Sequence, residues 1–209
     1  MTAQPVSGGC QHPLTETLDD AHDRALAALA EGKHLDAVVW LSAHVAAGQR
    51  AVHHAARNLS GVARLAVTRA RAADHDLEVV LRRAEQRYSG DSLAAQLDTA
   101  RLGRDLRSAL DRHALAECGL VTAIADQLGA SVIDEVAASY HAALRHAPTR
   151  PHPHVPHRGL LGAVAFRVDA VRDRVMDTMD ARHVPSPRVE RQRRPPGRWG
   201  LYLLGEMER

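Results

Sequence analysis

His113 and Glu117 stand four residues apart in DRHALAECGLV, residues 111–121, so on a helix their side chains are neighbours on one face. The same face carries Leu106, Leu110, Leu120 and Ile124, a stripe that should turn inward. Burying an unpartnered imidazole and carboxylate there is costly, which predicts partners in the core. Imidazole together with carboxylate is a donor set for iron, manganese or zinc, and helix bundles build such sites from side chains of several helices. Two more histidines repeat the pattern. His22 is in phase with Leu18, Leu26 and Leu29, and His44 with Trp40, Leu41 and Ala47. His75, in ADHDLEVVLRR, lies on a flank when Leu77 is taken as the inward direction, and His53 and His54 read as surface residues or, alternatively, as facing a crevice beside the second helix. Cys118, beside Glu117, is either a redox-sensitive thiol near the site or a small buried hydrophobe.

The elements that must position these residues follow from periodicity. After an arm at residues 1–13, helices are predicted over about 14–31, 35–59, 62–88, 92–128 and 131–146. The third carries Leu65, Ala73, Leu77, Val80 and Ala84 in phase, with Ser60 available as a cap. The fourth is long enough that a bend near Leu102 and Gly103 is expected, and Ser131 with Asp134 resembles a capping box for the fifth. The bundle is thus placed at 14–147. A link at 148–159 follows, holding His152, His154 and His157 among prolines; it reads as a strap over the bundle, or alternatively as a surface metal trap.

A last amphipathic helix, 160–183, has an apolar stripe through Val164, Val168, Val171 and Val175. Its polar face mixes Arg167, Asp169, Arg172, Asp173 and Arg174, which favours packing on the bundle or on a second copy of the chain over a membrane surface. The tail at 184–209 is arginine-rich and reads as solvated.

Composition agrees with helices. Aromatic residues are 3% of the chain against 45% hydrophobic, so the core is built from Ala, Leu and Val, and the fold class is all-α. A net charge of +2 gives no reason to expect nucleic acid. Cys10 and Cys118 make no disulfide framework, which fits a reducing compartment. There is no signal-peptide pattern and no apolar run of the roughly 20 residues that span a bilayer, so the expected location is cytoplasmic. Neither a phosphate-binding glycine loop nor a nucleophile with an organised base is visible, so an enzyme is the less favoured reading.

The order of His22, then His44 in LSAHVAAGQRAV, then His75, then His113 with Glu117 resembles the hemerythrin-like (HHE cation-binding) domain family of actinobacterial type, over about residues 14–148. The resemblance implies an antiparallel up-down four-helix bundle with additional C-terminal helices. It implies a non-haem iron centre and a role in binding or sensing O2, NO or redox state. The ligands it implies are His22, His44, His75, His113 and Glu117. The family's second-helix motif is HxxxE, whereas Gly48 and Gln49 follow His44 here. The resemblance therefore implies a weakened or mononuclear site, with Gln49 as a neutral stand-in or an acid from Asp20, Asp23 or Asp74. The other reading is a metal-free descendant acting as an interaction module through its last helix and tail.

Overall fold

The computed structural model describes residues 12–88, 98–151 and Asp173. These form five α-helices and one 3-10 turn, with no strand among the described residues: α1 (Pro13–Ala30), α2 (His34–Ala55), the 3-10 turn (Ala56–Asn58), α3 (Ala63–Tyr88), α4 (Thr99–Leu128) and α5 (Ala130–Leu144). No helix among the described residues is long and apolar enough to cross a membrane.

Local chemistry sets the boundaries. Pro13 opens α1, where its missing N–H breaks no bond. Gly32, at φ 74, closes the helix: Lys33 N donates to Ala28 O at 2.8 Å and Gly32 N to Leu29 O at 3.2 Å, which turns the chain sharply into α2. Asp98 caps α4, accepting from Ala100 N at 2.9 Å and Arg101 N at 3.3 Å. Gly129, at φ 89, separates α4 from α5 as a single residue.

α4 runs as one continuous helix from Thr99, with Leu102 on its buried face. Three local expectations are corrected. α5 opens from Gly129 without a side-chain cap, because Ser131 already lies inside the helix. Leu65 is 56% exposed, so the inward stripe of α3 begins at Val67. Nor does Ser60 show a side-chain cap: its backbone N and O are held instead by the Gln127 amide, at 3.1 and 3.2 Å, beside the end of α4.

The core is divided. One apolar group contains Leu14, Leu18, Ala47, Ala51, Leu120, Val121, Ile124, Ile133 and Tyr140. The other contains Ala25, Val38, Leu41, Leu77, Leu81, Leu106 and Leu110. Each fully buried Leu or Ile contributes about 1.5–3 kcal/mol. Along α1, His22 falls between Leu18 of the first group and Ala25 of the second. Along α4, His113 and Glu117 fall between Leu110 and Leu120. A polar layer therefore separates two apolar ones.

Beyond α5 the chain stays packed: Ala147, Thr149 and Pro151 are buried. Asp173, read from the sequence on the mixed-charge polar face of the last helix, is 1% exposed, and its carboxylate accepts from the backbone N–H groups of Thr149 and Arg150, both at 2.9 Å. The remainder of the expected strap, last helix and basic tail lies outside the described residues.

Candidate metal centre

The polar layer contains His22 from α1, His44 from α2, and His113 and Glu117 from α4, all buried. One ligand atom from each lies within 4.8 Å of every other. His44 Nε2 is 3.0 Å from Nε2 of His22 and 3.0 Å from Nε2 of His113. Glu117 Oε2 lies 3.5 Å from His22 Nε2, 3.4 Å from His44 Nε2 and 3.7 Å from His113 Nε2. An ion with bonds of about 2.1 Å places its donors about 3.4 Å apart in a tetrahedron and about 3.0 Å apart at adjacent octahedral positions. These five separations, 3.0 to 3.7 Å, fall in or near that range.

The proton balance points the same way. His113 Nδ1 faces Asp74 Oδ1 at 3.0 Å, and His44 Nδ1 faces the Tyr140 hydroxyl at 2.7 Å. With protons on those Nδ1 atoms, the Nε2 atoms of both rings turn lone pairs toward each other and toward a carboxylate. Burial lowers the basicity of His113, but the Asp74 hydrogen bond and the Glu117 charge outweigh it and raise the pKa overall, so without metal a proton on His113 relieves one contact. It does not relieve all of them. Glu117 Oε2 stays buried without a hydrogen-bond partner, an arrangement that native cores avoid.

The other shifts follow from the same crowding. Burial, reinforced by His44, holds His22 down at about 3. For Glu117, burial acts upward, but the three surrounding imidazoles prevail and bring it to about 2. Asp74 is likewise pushed up by burial and pulled further down by hydrogen bonds from His113 and His53.

Helix α2 makes the room. A Cβ on Gly48 would lie 3.3 Å from Glu117 Oε1, so the bare glycine admits a carboxylate reaching across from α4. A side chain at position 48 and the carboxylate of Glu117 would thus compete for one space.

Several expectations about individual residues are corrected. His75 is exposed on α3 and stands outside the group; its neighbour Asp74 points inward instead. Gln49 is half-buried, and its amide nitrogen donates to Glu78 Oε1 at 3.1 Å. Cys118 is half-buried and disulfide-bonded, which removes the expected redox-sensitive thiol and also runs against the expectation that the cysteines form no disulfide. His53 is buried, with Nε2 donating to Asp74 Oδ2 at 3.0 Å; His54 is exposed, as read. Asp20 and Asp23 are exposed, and neither replaces the acid.

The roles of Asp74, His53 and Tyr140 were not read from the sequence. Asp74 is in phase with Ala70, Leu77 and Leu81, a signal that the adjacent histidine obscured. Tyr140 is the buried aromatic of α5, in phase with Ile133 and Val136. The chain matches no family model, no curated protein and no solved structure.

Proposed function

We propose that α1–α4 form an antiparallel, hemerythrin-like bundle that holds one non-haem iron ion through His22, His44, His113 and Glu117. The observation that carries this is the convergence of three Nε2 atoms and one buried carboxylate oxygen lacking any hydrogen-bond partner. A cation accepts a lone pair from all four, which no arrangement of protons among them does. One carboxylate and three neutral imidazoles suit a single divalent ion rather than a pair, because two cations would need further anionic ligands.

Four protein ligands leave two positions of an octahedral iron for a small ligand such as O2 or NO, so the proposed role is binding or sensing such a ligand, or redox state. A second reading, a structural zinc ion, draws on the 3.4 and 3.5 Å separations of Glu117 Oε2 from His44 and His22, which fit a closed tetrahedron. The rival without metal is an interaction module whose surface lies outside this layer.

Anaerobic loading with Fe2+, followed by NO, separates these readings. An iron–nitrosyl electron paramagnetic resonance signal at one iron per chain supports the first. Tight Zn2+ binding without NO uptake by the iron form supports the second. A folded chain that retains neither metal leaves the third.

A further inference from the structure

α3 supplies none of the four converging donors, yet among the described residues it carries the only buried carboxylate that touches one of the three histidines from behind. Asp74 is 4% exposed. Its Oδ1 accepts from His113 Nδ1 at 3.0 Å, and its Oδ2 accepts from His53 Nε2 at 3.0 Å. The result is a continuous chain, His53–Asp74–His113, running from α2 through α3 to α4. It ends inside the protein, where His53 Nδ1 is buried without a partner.

The three histidines are therefore not equivalent. His113 is backed by a buried carboxylate and His44 by the Tyr140 hydroxyl at 2.7 Å. His22 Nδ1 has only Asp19 Oδ1 at 3.7 Å, on a side chain 59% exposed. A carboxylate accepting from Nδ1–H fixes the tautomer that presents Nε2 as a lone pair, fixes the ring plane, and makes that nitrogen a stronger donor. Its own rotation is stopped by the second donor.

We propose that Asp74 and His53 are the positioning pair of the metal centre: His53 locks the Asp74 carboxylate, and Asp74 orients and strengthens His113 as the principal ligand. The proposal rests on the metal-binding reading above, and its test keeps the two apart. Co2+ serves as the probe, because its visible bands report coordination geometry as well as occupancy.

Full-length wild type, Asp74→Asn, His53→Leu and His53→Gln are titrated with Co2+. The expected results are visible Co2+ bands in the wild type, affinity about 10–100-fold weaker with altered bands in Asp74→Asn, and weaker binding in His53→Leu. His53→Gln, whose amide can still donate to Asp74, is expected to recover most of the wild-type affinity. A purely space-filling role would not distinguish Gln from Leu in the Co2+ bands.

Wild-type affinity and bands in both Asp74→Asn and His53→Leu would overturn the positioning role while leaving the metal site standing. So would a His53→Gln variant as weak as His53→Leu. If Asp74→Asn does not fold, the His53 pair decides alone. Failure of the wild type itself to take up Co2+ would remove the metal reading and this proposal with it.

Discussion

At the residue scale the proposed centre depends on two opposite requirements, a carboxylate at Glu117 and nothing at Gly48. Replacing Glu117 with Ala removes the only acid among the four donors. Metal affinity is expected to fall by more than about 100-fold, beyond the loss typical of an outer partner, as read by competition with a chelator. Gly48→Ala should separate stability from binding. The added methyl raises helix propensity by about 1 kcal/mol and should raise the melting temperature of the metal-free protein. The same methyl lies 3.3 Å from Glu117 Oε1 and should weaken metal binding. A variant that gains in both, or loses in both, would show that the glycine is not there to admit the carboxylate. The donors on α1, α2 and α4 are legible in the sequence because each shares a helical phase with leucines. Asp74 is not, because a helix pattern shows which way a residue points but not which neighbour it meets.

At the element scale the helices are largely legible, and their ends less so. Apolar periodicity alone indicates α1, α2 and α3, and Gly32 marks the first turn. The start of α5 is misread because Ser131 and Asp134 have the right spacing for a cap, whereas the chain turns at Gly129. That glycine, at φ 89, lies in the left-handed half of backbone space, which a Cβ disfavours. Gly129→Ala is expected to destabilise the protein by about 1–2 kcal/mol in chemical denaturation, although nothing lies within 4 Å of the added methyl. A null effect would mean that α4 and α5 can rejoin with a different turn. The fifth helix matters to the site as well as to the fold: it packs Tyr140 into the core and onto His44, so its contribution reaches the polar layer from behind.

At the scale of the whole molecule, a polar layer between two apolar groups makes stability depend on pH and, in the proposed function, on metal. His22, held at about 3 against an ordinary 6.5, takes up its proton more readily once unfolded. Its contribution is therefore present above about pH 6.5 and is lost progressively as pH falls toward 3. Glu117, at about 2 against 4.5, adds a loss below pH 4.5, and Asp74 adds one below its ordinary 3.8. His113 is raised and opposes them: its contribution is full below 6.5 and lost as pH rises through the higher folded value. Below pH 5 the first three dominate, so the metal-free protein should lose stability steadily from pH 5 to pH 3 in urea titrations. Stability that stays flat over that interval would contradict the buried, mutually dependent layer. Composition forecasts an all-α core from its poverty of aromatic residues, but not a core split by charge, because the split depends on where four helices meet.

The most direct test counts metal. Purified chain, stripped and then equilibrated anaerobically with Fe2+ or Zn2+, is passed through a desalting column and analysed for bound metal, with Glu117→Ala treated in parallel. The expected result is one ion per wild-type chain, almost none in the variant, and a wild-type stabilisation of about 2.7 kcal/mol when free metal is one hundred times its dissociation constant. A folded wild type that emerges without metal, or a variant that retains it, would contradict a centre built on His22, His44, His113 and Glu117.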